Sequence, residues 1–361
     1  MDRIAYFITP HGFGHAARAC AVMQALRQLR PSLQLHIYTR VPRWFFRDSL
    51  GEDGWQYHET MTDIGLVQAS PMSEDLPATL SALDAFLPFS DTLVERLAAQ
   101  VAAQGCELIV CDIAPLGIAV ARRAGIPSAL VENFTWDWIY QGYFDAEPRL
   151  AAHADYLAAL FGLADVRIQT EPVCVRRPAQ LHTPPVSRPP RRNGEAVRAL
   201  LGIPTGQPLV LISFGGIPQN DFPALDRFHT RDDHCFLMPG ASSTTIQRNG
   251  NVIRLPHHSG YYHPDLIHAA DLLVGKLGAS TVGEAWQAGI AYSYIPRPGF
   301  RESAVLAEFV ERELGAQMME ESDFLAGTWL DELPRRLANR RGPRQGVAPA
   351  EQIAGLLLGL E

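Results

Sequence analysis

The chain alternates short apolar segments with segments of helical periodicity, and this alternation constrains its fold more than any other feature. IAYFIT at 4–9, ELIVCD at 107–112 and PLVLISF at 208–214 have the length and apolar character of buried strands. Apolar residues at three- and four-residue spacing, as in 16–29, predict helices between such strands. Buried strands joined by helices are typical of parallel sheets. The sequence therefore predicts an α/β fold.

The alternation is interrupted near residue 171 by a proline-rich segment. EPVCVRRPAQLHTPPVSRPPRR contains six prolines and no clean periodicity, which favours an extended linker. Two parallel-sheet lobes facing a cleft are expected on either side of it, because ligands bind at the carboxyl ends of parallel strands. The predicted boundaries are 1–170 for the first lobe, 171–195 for the linker, 196–345 for the second lobe and 346–361 for a C-terminal helix.

Composition argues against several classes of function. The formal net charge is −8 and Lys and Arg form no block, so a nucleic-acid partner is not expected. Five scattered cysteines form no C-x-x-C pair, which indicates neither a zinc site nor a disulfide framework and predicts reduced thiols in a cytoplasmic protein. We expect no leader peptide and no transmembrane segment. PRWFFR at 42–47 leaves a peripheral membrane contact open, although a buried helix face is favoured because no basic amphipathic helix surrounds it.

The loop HGFGHAAR at 11–18 follows the first predicted strand and is a candidate site. Gly12 and Gly14 permit a tight turn and the close approach of a ligand. His15 is expected at the start of the next helix, whose positive end favours neutral imidazole, and a neutral imidazole can act as a general base. The alternative is a histidine that only caps its helix or packs under the loop.

Two further features accompany this loop in the first half of the chain. Asp112 ends the strand ELIVCD, so it is expected at the same sheet edge, where it could orient His15 or cap the next helix. NFTWDWIYQGYF at 133–144 contains six aromatic residues. Trp136 and Trp138 could wall an acceptor site, although packing in a core is the commoner role of such residues.

Three loops of the second half have residues suited to a nucleotide sugar. Gly215 and Gly216 follow a strand and could cradle a phosphate, or form a plain turn. In GKLGASTVGEAWQAG at 275–289, small and hydroxyl residues open a helix that suits a diphosphate, and Glu284 one turn later suits ribose hydroxyls, unless Thr281 and Glu284 form a capping box. The loop RPGFRES is either a sugar contact or a solvated turn. The candidates in the last two loops are Lys276, Gly278, Ser280, Thr281, Glu284, Arg297, Arg301 and Glu302.

In this order the motifs resemble the two-domain nucleotide-sugar glycosyltransferases of the GT-B fold, such as natural-product glucosyltransferases and MurG-type enzymes. The pattern of GFGHAxR, NFxWDxIY, FGGxP and GKxGxxTVxEA is most similar to the glycosyltransferase-like N-terminal region of plant L-arabinokinases, over nearly the whole chain. We expect no kinase domain, because too few residues follow Leu330. The resemblance implies two Rossmann-like lobes, with acceptors on the first, nucleotide sugars on the second and the C-terminal helix packed back on the first.

The resemblance also implies roles for individual residues. His15 would deprotonate the acceptor hydroxyl while Asp112 holds it, the Gly215–Gly216 loop and the start of the 279–288 helix would contact the diphosphate, and Glu284 would bind the ribose. The loop at 297–302 would recognise the donor sugar. Because this loop has Arg-Glu where the family commonly has Gln or Asp-Gln, a charged or unusual sugar is considered.

The sequence thus predicts an inverting, metal-independent glycosyltransferase without a cofactor. It would move a sugar from a nucleotide diphosphate sugar, with a UDP-sugar favoured, to a hydroxyl acceptor. Two alternatives stay open. A nucleotide-sugar hydrolase would use His15 to activate water, since a G-x-G-H-x-x-R loop also occurs in such enzymes of this fold. A non-catalytic module would bind the nucleotide sugar without turning it over.

Overall fold

The computed structural model describes residues 1–70, 73–214, 225–346 and 348–360. The chain forms two units, and each has its own seven-stranded sheet. The first unit consists of Met1–Val186, Gly299–Glu302 and Ala348–Glu361, and the second of Ser187–Pro298 and Ser303–Val347.

A parallel sheet forms the centre of the first unit. The strands of this unit are β1 (Arg3–Ile8), β2 (Gln34–Thr39), β3 (Trp55–Glu59), β4 (Gln68–Ser70), β5 (Ser73–Glu74), β6 (Leu108–Asp112), β7 (Ser128–Glu132), β8 (Val166–Thr170) and β9 (Leu181–Thr183). Strands β4 and β5 form a separate antiparallel pair, and the other seven lie in the order β3-β2-β1-β6-β7-β8-β9 with all neighbours parallel. Because β9 extends this sheet, the first unit continues to Val186, into the range predicted as a linker.

Helices cover both faces of this sheet, as the continuous apolar character of its strands requires. The helices up to residue 186 are α1 (Gly14–Leu29), α2 (Arg43–Leu50), α3 (Leu76–Phe86), α4 (Asp91–Ala103), α5 (Pro115–Ala124), α6 (Trp136–Gln141) and α7 (Leu150–Phe161). Since successive side chains of a strand point to opposite faces, Ile4, Tyr6 and Ile8 of β1 join one core, whereas Ala5 and Phe7 join the other.

The order of the strands reverses its direction between β1 and β6. The chain runs outward from β1 to β2 and β3 on one side, and from β6 to β9 on the other. Ile8 lies beside Asp112 at the carboxyl ends of the two central strands. In open parallel sheets such a reversal leaves a crevice at the carboxyl edge, and ligands bind there. The loop HGFGHAAR begins at this position.

The second unit repeats the same architecture. Its strands are β10 (Leu209–Ser213), β11 (Cys235–Ser242), β12 (Gln247–Asn249), β13 (Val252–Pro256), β14 (Leu272–Lys276), β15 (Ala291–Ile295) and β16 (Gln317–Met318). They lie in the order β12-β13-β11-β10-β14-β15-β16, and only the edge strand β12 is antiparallel to its neighbour. Here the order reverses between β10 and β14, so the loops after these two strands flank the corresponding crevice.

Short helices surround the second sheet. They are α8 (Gly194–Leu200), α9 (Leu225–His229), α10 (His263–Ala269), α11 (Ala279–Ala288), α12 (Glu302–Leu314), α13 (Glu321–Ala326), a 3-10 helix (Thr328–Glu332) and α14 (Leu333–Leu337). The last helix, α15 (Pro349–Leu358), belongs to the first unit. There Ile353, Ala354 and Leu357 are fully buried in the core that contains the apolar face of α1.

Two findings bear on the expectations from composition. Within the described residues, no helix combines the length and the apolar character that crossing a bilayer demands. The five cysteines are free thiols, and all except Cys174 are buried.

Candidate functional site

The loop between β1 and α1 presents His15 at the reversal point of the first sheet. Gly12 has φ of +70°, a left-handed conformation that favours glycine. No side chain caps α1, whose N-cap residue is Phe13, so His15 does not serve as the cap. The imidazole is only 7% exposed, and the ring of Phe134 packs edge-on against it at 5.6 Å.

His15 and Asp112 are in contact. The imidazole Nδ1 lies 3.1 Å from Asp112 Oδ1, and the carboxylate is completely buried. Asp112 does not cap α5, whose N-cap residue is Ala114 without a side-chain cap. The capping roles considered for these two residues are therefore not the ones they adopt, and the pair has the geometry of a histidine held by a carboxylate.

A third residue, Arg18, completes this pair and was not predicted from the sequence. Its Nε and Nη2 donate to the two oxygens of Asp112 at 2.9 Å and 2.6 Å. Its Nη2 also lies 3.3 Å from His15 Nδ1. Arg18 follows His15 by three positions in α1, so both side chains lie on one face of the helix. The sequence did contain a signal for this residue, because an arginine on the apolar inward face of a helix needs a buried partner.

The network continues from Arg18 through the first unit. Arg18 Nη1 donates to Asn133 Oδ1 at 2.8 Å and to Thr170 Oγ1 at 3.1 Å. Asn133 Nδ2 in turn donates to Glu302 Oε1 at 2.7 Å. All of these side chains are buried. Glu302, predicted as a donor-sugar contact, is thereby part of the first unit and of the same network as His15.

Burial and charge set the protonation states in this network. Burial lowers the pKa of His15 below its usual range, against the opposing effect of its hydrogen bond to Asp112. Burial alone would raise the pKa of Asp112, but the charge of Arg18 and the hydrogen bond to His15 lower it. At neutral pH the cluster therefore contains a carboxylate, a guanidinium and a neutral imidazole.

A second buried carboxylate, Asp63, lies near this cluster. Its Oδ1 accepts a hydrogen bond of 2.6 Å from Thr9 Oγ1. Burial raises its pKa to about 7, and the charge of Asp112 adds to the increase, although Thr9 and the indole N–H of Trp136 oppose it. Asp63 thus titrates near neutral pH.

The aromatic segment serves the first unit in two ways. Trp136 is fully buried in the core, and its ring and that of His11 pack edge to face with their centres 5.2 Å apart. Trp138 is half-buried, and the guanidinium of Arg301 lies 4.2 Å from the centre of its ring. Arg301 Nη1 also donates to the Trp138 carbonyl at 2.6 Å. Trp136 thus has a packing role in the core, and the side chain of Arg301 packs against α6.

In the second unit, Glu284 is the buried acid of α11. Arg188 Nη2 donates to its Oε1 at 3.0 Å, and His263 Nδ1 lies 2.7 Å from its Oε2. Burial would raise the pKa of Glu284, but Arg188 and His263 lower it. The capping-box alternative is not realised, because the N-cap residue of α11 is Gly278 and Thr281 lies inside the helix. Arg188 and His263 were not predicted from the sequence, since both lie outside the segment 275–289.

The other residues predicted for the donor lie around α11 or outside the described residues. Gly278 is the N-cap residue of α11, which has no side-chain cap, Ser280 is half-buried and Thr281 is buried. Lys276 ends β14, and Arg297 is buried with its backbone N–H donating to Ser303 Oγ at 2.9 Å. Gly215 and Gly216 fall outside the described residues. Among the residues that are described, no cluster of three or more His, Cys, Asp or Glu is arranged to hold a metal ion.

Known proteins resemble this chain in sequence over different lengths. No family model matches it. The L-arabinokinase of Arabidopsis thaliana is 28% identical over 365 residues, which cover 98% of this chain and 34% of that protein. The UDP-N-acetylglucosamine–N-acetylmuramyl-(pentapeptide) pyrophosphoryl-undecaprenol N-acetylglucosamine transferase of Desulforudis audaxviator is 27% identical over 197 residues, which cover 45% of this chain and 50% of that protein. The chain thus matches half or less of the length of these relatives.

Solved structures resemble the chain over its whole length. MurG of Acinetobacter baumannii has 16% identity and a TM-score of 0.57, with 99% of this chain and 100% of that chain covered. UGT89C1 of Arabidopsis thaliana, complexed with UDP, has 14% identity and a TM-score of 0.64, with 100% of this chain and 99% of that chain covered. At such identities the likeness concerns the fold, and the chain has the GT-B fold of glycosyltransferases, as its sequence motifs predicted.

Proposed function

We propose that this chain is an inverting, metal-independent glycosyltransferase that uses a nucleotide diphosphate sugar. The observation that carries the proposal is the buried contact of His15 with Asp112 at the reversal point of the first sheet. The GT-B fold supports it, because solved neighbours of that fold include a MurG and a chain complexed with UDP. We favour a UDP-sugar as the donor on the same ground.

His15 has the role of the general base in this reaction. An Nδ1–H that donates to Asp112 leaves the lone pair of Nε2 to accept the proton of an acceptor hydroxyl. The acceptor oxygen forms a bond to the anomeric carbon as the bond to the diphosphate breaks, and the diphosphate leaves with the electron pair. Attack opposite the leaving group inverts the anomeric configuration. General-base catalysis of this kind contributes about 10²–10⁴-fold to the rate.

The second unit has the role of binding the donor. The first N–H groups of α11 are not capped by a side chain, and such helix ends bind phosphate and stabilise a leaving diphosphate without a metal ion. Glu284 would accept hydrogen bonds from the ribose hydroxyls with the lone pairs that Arg188 and His263 leave available. Arg188 and His263 keep this carboxylate ionised and fixed in place.

Donor binding is tested by thermal shift with UDP, dTDP, GDP and ADP and their common sugars. A ligand present at 100 times its Kd adds about 2.7 kcal/mol to the stability of the protein. Glu284→Gln should remove the shift for the preferred nucleotide. Asp271→Asn is the matched control, because Asp271 pairs with Arg198 and Arg340 before β14 rather than after it, and it should keep the shift. A shift that survives in Glu284→Gln would contradict the ribose contact.

The role of His15 is tested in the same protein by turnover of the nucleotide sugar that binds. His15→Ala should lose about 10²–10⁴-fold in kcat and keep its affinity for the donor. Unchanged turnover would refute the assignment of the base. Release of free sugar at full rate without an acceptor would instead identify a nucleotide-sugar hydrolase, and donor binding without any turnover would identify a binding module.

A further inference from the structure

The guanidinium of Arg18 forms hydrogen bonds with the carboxylate of Asp112, which contacts His15. Its Nε and Nη2 donate to different oxygens of Asp112, at 2.9 Å and 2.6 Å. This bidentate geometry fixes both the position and the plane of a carboxylate. We propose that Arg18 is a positioning residue for His15, which acts by locking Asp112 and by compensating its charge. The inference rests on the proposed role of His15 as the general base.

The remaining contacts of Arg18 exclude a role in binding phosphate directly. Its Nη1 is engaged by Asn133, which follows β7, and by Thr170 at the end of β8. The side chain is only 6% exposed. Contacts from β6, β8 and the segment after β7 therefore hold the guanidinium in one place. An arginine that contacts a ligand keeps donors available for it, whereas this one directs them at the protein.

The charge of Arg18 changes what Asp112 does to the imidazole. A buried carboxylate alone strongly favours imidazolium, because the two charges attract in a medium of low dielectric. With Arg18 on the same carboxylate, much of that attraction is cancelled, and His15 stays neutral with Nε2 able to accept a proton. Five other titratable groups interact electrostatically with Asp112, with Arg18 or with the neighbouring Tyr6. They lie on β1, β6 and α1 and at two positions outside these elements. They are Tyr6, Cys20, Cys111, Asp63 and Glu302.

In most histidine–carboxylate pairs, the carboxylate sets both the orientation and the protonation state of the imidazole. Here these two effects have different sources. Orientation of the imidazole comes mainly from the contact of Nδ1 with Asp112 Oδ1 at 3.1 Å, while Arg18 Nη2 lies 3.3 Å from the same nitrogen. The protonation state of the imidazole comes from its burial and from the opposing effects of Asp112 and Arg18, since burial and Arg18 lower its pKa and Asp112 raises it. Removing the carboxylate and removing the guanidinium must therefore move the titration of His15 in opposite directions.

The test is an NMR titration of 15N-histidine-labelled protein without donor or acceptor. The chain has 12 histidines, and comparison with His15→Gln assigns the signals of His15. Arg18→Met should raise the midpoint of the His15 titration by about 1–3 pH units, as expected for an opposite charge that is no longer compensated. Asp112→Asn should lower it, and the double variant should lie between the two.

Two further variants separate positioning from general stability. Thr170→Val removes a hydrogen-bond acceptor from the same guanidinium without touching Asp112, so the His15 midpoint should not move. Arg18→Lys keeps the charge, but one ammonium cannot bind both oxygens as the planar fork does. It should therefore give a mixture of imidazole tautomers in place of the Nδ1–H form. If Arg18→Met fails to fold, the double variant and Arg18→Lys still provide the test.

Two results would overturn the proposal. One is a folded Arg18→Met protein with the wild-type midpoint and tautomer, and the other is a shift of Arg18→Met and Asp112→Asn in the same direction. These titrations do not require turnover, so their results remain interpretable even if the protein transfers no sugar. Conversely, glycosyl transfer by the wild-type protein would not support the role of Arg18 if the titration midpoint of His15 did not change in the variants.

Discussion

At the scale of single residues, the buried charges of the first unit come from positions far apart in sequence. His15 and Asp112 could be paired in advance, because each follows or ends a strand of a parallel sheet and such positions share one edge. The contacts of Arg18 could not be predicted in this way, because Arg18 lies inside α1 and not at the end of a strand. Its partners Asp112 and Asn133 are 94 and 115 residues away in sequence. Sequence patterns predict faces of helices and edges of sheets, but they do not specify which side chains meet there.

Asp63 makes the stability of the protein depend on pH in a defined window. Its pKa rises from 3.8 to about 7 on folding, so the folded state binds more protons than the unfolded state between these values. Stability contributed by protonated Asp63 is complete below pH 3.8 and is lost as the pH rises through about 7. The loss is on the order of 4 kcal/mol, since each pH unit corresponds to about 1.4 kcal/mol.

Urea unfolding of Asp63→Asn across this window measures the effect. An amide does not ionise, and its oxygen can still accept the hydrogen bond of Thr9. The variant should become more stable relative to wild type as the pH increases from 4 to 7. Asp53→Asn, at an exposed position, should track wild type. A constant difference between Asp63→Asn and wild type at all pH values would contradict the assignment.

At the scale of elements, some strands and helices were predicted from the sequence and others, such as β3, β8 and β9, were not. The apolar runs predicted β1, β6 and β10, and the helix expected at 16–29 is α1, which begins two residues earlier at Gly14. Strand β9 was missed because its three residues lie in a proline-rich segment, whose composition favours an extended linker. An edge strand tolerates such surroundings, since only one of its sides pairs with the sheet.

Helix α15 contributes to the core of the first unit through few side chains. Leu357 is fully buried against that core, whereas Leu356 is half-buried on the same helix. Leu357→Ala should cost about 2–5 kcal/mol of stability, the usual loss for a leucine removed from a core. Leu356→Ala is the matched control and should cost clearly less. Urea unfolding provides both values, and equal losses would show that α15 does not pack as described.

At the scale of the whole molecule, the two sheets reverse their strand order at the same point in their topology. One reversal carries His15 and Asp112, and the other lies beside the start of α11 and Glu284. Each unit therefore has its own candidate site, with its own buried carboxylate paired to an arginine. The proposed function assigns the base to one of these two sites and donor binding to the other.

Hydrogen exchange with UDP tests that division. Saturating UDP should give its largest protection in peptides from β14 and α11, because the donor is proposed to bind there. In Glu284→Gln the protection should disappear, whereas His15→Ala should keep it. Protection that is greatest in β1 and α1 instead would place nucleotide binding on the first unit and reverse the proposed assignment.

The return of the chain to the first unit at 299–302 and again in α15 has a consequence for biosynthesis. Residues 1–186 leave the ribosome before the second unit, yet the core around α1 lacks Ile353, Ala354 and Leu357 until α15 has been synthesised. The second unit is almost continuous in sequence and needs no such late segment. The half of the molecule that is synthesised first is thus completed last, and its unfinished core is the surface that nascent chains would expose to chaperones.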